Sequence, residues 1–219
     1  MNLYPKNKIS VFEVKKFIII FYIVGTLGFL IPFTKDFFIA ITPFALILST
    51  YLLALYHEKY TKKTIFVFLL IYLLGFLVEL IGVNTGLIFG NYKYGSGLGL
   101  KIYETPLLIG INWLFLAYTS VSILSSYKLN SILTVIFAPF LMLIYDFVLE
   151  QVAPKMDMWD WQSSSVPISN YIAWYLIALV FAGFLKVFRI NTENPMSKIL
   201  LLSQFVFLFF LMLFFKIQA

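Results

Sequence analysis

The sequence predicts an all-α fold, a polytopic integral membrane bundle of about seven transmembrane helices. Three observations predict it. The chain of 219 residues is 62% hydrophobic and only 12% charged, about half the charge of an ordinary soluble domain. Several apolar runs reach the roughly 20 residues that a helix needs to cross a hydrocarbon core about 30 Å thick. Inside lipid such runs must satisfy their own backbone amides, as helices do. Their apolar character is continuous, without the alternation over about ten residues that marks an outer-membrane barrel strand. No hydrophilic stretch is long enough for a second domain, so residues 1–219 are expected to form a single transmembrane domain.

The first span is expected at about 16–33, after an arm carrying Lys6, Lys8, Lys15 and Lys16. Its positive start resembles a signal peptide, but no small-residue cleavage pattern follows, so it reads as a retained anchor. The remaining spans are expected at about 37–56, 64–83, 105–125, 131–150, 168–188 and 198–217. Pro32, Pro43, Pro106, Pro139 and Pro167 mark span ends or kinks. The arm 1–10 and the polar linker 191–195 are expected to be the most mobile segments.

Charge sets an orientation. Eleven of the 16 Lys and Arg fall on one side of these spans: the arm, the loop 57–63, Lys128, Lys186, Arg189 and Lys198. The more basic side is cytoplasmic by the positive-inside rule, which puts the N-terminus inside and the C-terminus outside. The net charge of +6 therefore reads as topology. No basic run with interleaved aromatics sits on a soluble module, so no nucleic-acid partner is expected. The absence of cysteine excludes a disulfide framework and a thiolate nucleophile. The single histidine, His57, lies in the basic loop and reads as a solvated residue.

Two connections break the apolar monotony, both opposite the basic loops. One runs from Asn84 through Thr85, Gly86, Gly90, Tyr92 and Tyr94 to Gly99; the other holds Asp157, Trp159, Asp160 and Trp161 and runs to Pro167, Asn170 and Trp174. The helices feeding them carry Glu79, Asp146 and Glu150. Asp146 and Glu150 are four residues apart and share a helical face, as do Asn170 and Trp174. Antiparallel spans thus bring three carboxyl groups, an amide and several aromatic rings to one depth.

Each feature also has a plainer reading. Tyr and Trp at span ends commonly form an interfacial belt, and the loop glycines permit tight turns or close packing. The run 95–99 is not a phosphate loop, since no Lys-Ser/Thr pair follows it. Intramembrane acids can bond a neighbouring helix, yet an ionisable group inside a span is a functional candidate by default. A carboxyl group in a low-dielectric site resists ionisation and serves as a general acid near neutral pH, while aromatic faces stabilise positive charge. An acid, an aromatic wall and a second carboxylate to orient water suit hydration of an isoprenoid double bond, which needs neither metal nor redox cofactor. A divalent-metal site at Glu79, Asp146 and Glu150 lacks histidine support.

These residues resemble the bacterial and archaeal carotenoid biosynthesis membrane-protein family, whose characterised members include carotenoid 1,2-hydratases of the bisanhydrobacterioruberin and γ-carotene type. The family pattern is carried by Glu79, Gly82, Thr85-Gly86, Phe89-Gly90, Tyr92, Tyr94 and Leu98-Gly99, then by Pro106 and Trp113, the paired acids Asp146 and Glu150, Trp159 and Trp161, Pro167, Asn170 and Trp174. It covers 96 of the 219 residues. The chain departs at the second acid, where the family often has Asp-Pro and this sequence has Glu150-Gln151 with Pro154 further on. Asp157 and Asp160 lie outside the pattern.

The resemblance implies a cofactor-independent hydratase of an acyclic carotenoid end group, in the prokaryotic cytoplasmic membrane with its site toward the extracytoplasmic face. Glu79, Asp146 and Glu150 would be catalytic. Thr85, Tyr92, Tyr94, Trp113, Trp159, Trp161, Asn170 and Trp174 would bind substrate. Its partners would be a carotenoid in the bilayer, membrane lipid and other carotenoid enzymes. Two other classes share the features: a non-catalytic carotenoid- or lipid-binding protein, which needs no carboxylates, and a proton-coupled transporter. The clustering of acids at one face and the lack of paired broken helices speak against the transporter.

Overall fold

A computed structural model describes residues 9–163 and 165–217; most of the N-terminal arm, with Lys6 and Lys8, lies outside them. The described residues form seven α-helices: α1 (Val11–Leu30), α2 (Pro32–Leu55), α3 (Lys62–Thr85), α4 (Leu108–Ser126), α5 (Ser131–Glu150), α6 (Ile168–Val187) and α7 (Ser197–Ile217). The all-α polytopic membrane bundle read from the sequence is the architecture found. α2 to α7 are each long and apolar enough to cross a membrane. α1 carries Glu13, Lys15 and Lys16 in its first two turns, leaving 14 uncharged residues from Phe17 to Leu30, fewer than the roughly 20 of a full crossing.

Local chemistry sets the helix ends. The side chains of Ser10, Thr61 and Asn130 accept from the backbone N–H three residues on, capping α1, α3 and α5. Pro32 opens α2 at a position where its missing N–H would find no partner anyway. Pro167 precedes α6, while Pro43 and Pro139 lie within α2 and α5.

α4 is the central helix, buried without a break over residues 115–122 and packed against α2, α3, α5, α6 and α7. α2 is the most peripheral, burying only Ser49 and Leu53. A single residue, Ile31, joins α1 to α2.

The sequence reading contained no strands, and the structure has two small antiparallel ribbons between helices. β1 (Tyr92–Tyr94) pairs with β4 (Trp159–Trp161), matching Tyr92 to Trp161, Lys93 to Asp160 and Tyr94 to Trp159. β2 (Lys101–Ile102) and β3 (Thr105–Pro106) form a hairpin. Its turn residues Tyr103 and Glu104 both have positive φ, 47° and 60°, the backbone of a primed two-residue turn. This hairpin is why α4 starts at Leu108, a few residues beyond the expected 105.

His57 corrects the sequence reading. It is buried, with Nδ1 2.8 Å from the Tyr118 hydroxyl and Nε2 donating to the Lys59 carbonyl at 3.1 Å. The rings of Tyr60, Phe68 and Tyr118 pack edge-on around it. Its basic neighbours face outward while the loop folds the imidazole under itself. The linker is likewise tied down: Asn194 donates to the Leu53 carbonyl at 2.8 Å, and Asn191 bonds Glu58.

Candidate active site

The ends of α3 and α5 and the starts of α4 and α6 meet beneath the β1–β4 ribbon. On α3 the residues Gly75, Glu79 and Gly82 recur at helical spacing and are all buried. A Cβ on Gly75 would stand 2.8 Å from the Cβ of Trp113, and one on Gly82 would stand 2.5 Å from the Phe89 ring. Two missing side chains therefore admit the groups that surround Glu79.

Glu79 receives three hydrogen bonds. The Tyr92 and Tyr94 hydroxyls donate to Oε2 at 2.6 and 2.7 Å, and Trp113 Nε1 donates to Oε1 at 2.9 Å. Glu150 also receives three. Trp159 and Trp161 donate their indole N–H groups to Oε2 at 3.0 and 2.7 Å, and Asn170 Nδ2 donates to Oε1 at 3.2 Å. The ribbon is thus a lid with each strand serving one carboxylate: the tyrosines of β1 hold Glu79 and the tryptophans of β4 hold Glu150. Residues alternate across a strand, so Lys93 and Asp160 lie on the outer face. Burial first, and then the neighbouring Glu79 carboxyl, push the Tyr92 and Tyr94 hydroxyls up, which keeps them protonated donors.

Asp146 differs. It is fully buried, and its Oδ2 accepts from Asn170 Nδ2 at 3.3 Å. Its Oδ1 has no hydrogen-bond partner among the described residues. Asn170 thereby bridges the two acids of α5 with one amide group.

A cavity of about 20 Å³ lies under the lid, lined by Glu79, Tyr92, Tyr94, Glu150, Trp161 and Asn170, with Phe89, Ile109, Trp159 and Trp174 completing its walls. On this measure one water needs about 10–15 Å³ and two or more polar partners. The cavity fits one water, and no basic side chain lines it. Trp113 and Trp174 are stacked with ring centroids 4.1 Å apart. Next to this cavity is a chamber of about 70 Å³ lined by Tyr22, Asn112, Tyr145 and Gln204 among others. Ile109 and Trp159 line both spaces.

The expected site residues are thus gathered, with exceptions. Glu79, Glu150, Tyr92, Tyr94, Trp159, Trp161, Asn170 and Trp174 all line the cavity. Trp113 does not line it but holds Glu79, and Asp146 reaches it only through Asn170. Thr85 is not brought in: it is exposed, and its hydroxyl donates to the Ile81 carbonyl at 2.6 Å. Among the described residues the three acids do not converge with others into a metal-ligand group.

Sequence reasoning missed Phe89, Ile109 and Asn112. Asn112, a polar residue in an apolar span, could have been found by the rule applied to Glu79. It also missed the role of Asp157, whose carboxylate accepts from the Ser96 backbone N–H at 2.8 Å and from the Ser96 hydroxyl. These bonds, the hydroxyl first, hold the Asp157 carboxyl below the usual carboxylate range and fasten the glycine-rich loop to the turn before β4.

Fold and site together define a polytopic membrane protein with a carboxylate pair under an aromatic lid at one face. The sequence profile of a family described as carotenoid biosynthesis protein matches residues 41–219, and the chain belongs to that family. No curated protein and no solved structure matches it.

Proposed function

We propose that this protein is a cofactor-independent hydratase that adds water to the terminal double bond of an acyclic carotenoid end group. The family supports a role in carotenoid biosynthesis. The observation that carries the hydratase reading is the division of hydrogen bonds among three buried acids. Glu79 and Glu150 each accept three donors, which suits the carboxylate form. Asp146 has a free oxygen able to carry a proton.

In this reading Asp146 holds the proton and Glu150, on the same helical face and lining the cavity, passes it to the less substituted alkene carbon, whose double-bond electrons form the new C–H bond. The adjacent carbon becomes a tertiary cation. Glu79, Glu150 and the faces of the lid aromatics stabilise that cation, since opposite charge held in place in a dry site acts strongly on a developing charge. Water in the small cavity bonds the cationic carbon through its oxygen. It gives up a proton to the carboxylates, from which Asp146 is restored. The net change is addition of one water.

The site would face the extracytoplasmic side of a prokaryotic cytoplasmic membrane, as the charge count favours. Coexpression with carotenoid-producing enzymes tests the reading. The expected pigment is heavier by one water with a nearly unchanged visible spectrum, because an isolated terminal alkene lies outside the chromophore. Unchanged mass with several acyclic and monocyclic substrates overturns it.

A non-catalytic carotenoid binder is the second reading. It is favoured by the same hydrogen bonds taken as a structural lock on the lid. Asp146→Asn separates the two: a binder keeps its pigment effect, whereas a hydratase stays folded and loses product.

A further inference from the structure

The hydratase reading needs a way for a long, rigid apolar chain to bring one end to acids buried below a closed lid. A groove of about 550 Å³ opens between α1 and α2, within the range of small-molecule sites, about 300–1,000 Å³. Its walls are almost wholly apolar, with Val24, Phe29, Ile41, Phe44 and Leu48 among them. Phe44 of α2 is 69% exposed and Val24 of α1 is 52% exposed, so both helices present apolar groups to the surroundings.

The groove does not end blindly. Tyr22, Thr42, Ala45, Met156 and Phe207 line both the groove and the 70 Å³ chamber. Ile109 and Trp159 in turn line both the chamber and the cavity between Glu79 and Glu150. Three spaces follow one another from the lipid-facing side of α1 and α2 to the carboxylates. The shared wall is small where the first two meet, at Thr42 and Ala45.

A second observation points to an occupant. Asn112 lines the chamber, is 7% exposed, and its side chain makes no hydrogen bond with another described residue. Buried amides are normally paired, because a polar group taken out of water without a partner is costly. An amide without a protein partner at the wall of a largely apolar chamber suits a ligand that carries or acquires one polar group. The product of hydration acquires a hydroxyl at the very end of its chain.

We propose that the α1–α2 groove is the lateral entry and binding channel for an acyclic polyene. The chain enters from the membrane, passes Thr42 and Ala45, and points its terminal alkene at Ile109 and Trp159. Asn112 is the specificity-determining partner of the new end-group hydroxyl. This rests on the hydratase reading for the chemistry but not for the binding.

The test measures binding of lycopene to purified protein in detergent, by transfer of tryptophan fluorescence to the pigment, beside its hydration. Wild type is expected to bind lycopene, and Ala45→Trp to bind at least tenfold more weakly. A chain without cysteine permits a second arm that does not depend on folding of a bulky variant. Thr42→Cys is purified first and then modified with a membrane-permeant maleimide. Modification is expected to weaken lycopene binding at least tenfold, and prebound lycopene to slow modification. Unchanged lycopene binding by the modified Thr42→Cys protein, or no binding by wild type, overturns the channel. Binding blocked at Thr42 with no hydration by wild type sinks the hydratase reading and leaves the channel standing.

Discussion

At one face of the bundle Glu79 and Glu150 gather six donors between them, and no basic side chain lines the cavity they share. At the opposite face the buried His57 and Tyr118 and the half-buried Asn194 form a chain of polar contacts, Nδ1 to hydroxyl at 2.8 Å and hydroxyl to amide at 3.4 Å. The second cluster ties the end of α2 and the middle of α4 to the start of α7 and adjoins a cavity of about 60 Å³. The first leaves one carboxyl oxygen unpaired and adjoins a series of spaces that reaches the lipid side. Burial and hydrogen bonding are therefore not what separates a candidate site from a clasp. Uncompensated charge, an unpaired atom and adjoining space are.

Four substitutions break or sharpen that contrast. Asp146→Asn carries the largest expected effect: of the three buried acids it is the one with a free oxygen, and product yield in coexpression should fall about 10²–10⁴-fold, the usual worth of a general acid. The protein should remain folded by circular dichroism and keep its bound pigment. Glu79→Gln comes next. An amide can offer its oxygen to Tyr92 and Tyr94 but then turns its NH₂ toward the Trp113 N–H, so one donor is left facing another. Product should fall, and detergent-resistant stability should drop by about 1.5–3 kcal/mol, the scale of a hydrogen bond to a charged group.

His57→Phe probes the other face. The ring fits among Tyr60, Phe68 and Tyr118 but leaves the Tyr118 hydroxyl and Lys59 carbonyl short of a partner. Stability should fall by about 1–2 kcal/mol, with hydration per folded molecule unchanged. A loss of product without a loss of folded protein would move that face into the active machinery.

Asp157→Asn has the smallest effect. The folded-state value of Asp157 is lowered, chiefly by the Ser96 hydroxyl and backbone N–H. Its contribution is therefore full above the ordinary value near 3.9 and fades as pH falls through the lowered one. Wild type should melt slightly above the variant at pH 7, and the two curves should converge in acid. A gap that persists unchanged at low pH assigns the loop's fastening to packing.

Much of the candidate site was legible because its signals are local. Glu79 and Asp146 stand out as ionisable groups in apolar runs, and the spacing of Asp146 and Glu150 puts them on one face. What joins them is not local. Tyr94 pairs with Trp159 across two helices of intervening chain, and nothing in either Tyr-x-Tyr or Trp-x-Trp names its partner. Both segments do alternate with period two around Lys93 and Asp160, and that alternation was a strand signal read instead as an interfacial belt. His57 misled for a related reason. Its neighbours in sequence are lysines, but its neighbours in space are aromatic, and only the fold supplies those. The groove beside α1 was illegible for another reason: an inward-facing Ala45 and a lipid-facing one look the same in a sequence.

The lid consists of only six paired residues, and its two sides are fixed by a single count. Insertion or deletion of one residue in either strand would turn that strand's aromatic pair outward and its charged residue inward, onto the carboxylates. No helix would need to change. A ribbon of three residues a strand is thus less tolerant of length variation than the helices it covers. The seven long helices can absorb changes at their ends, whereas 92–94 and 159–161 cannot gain or lose a position and still close the site.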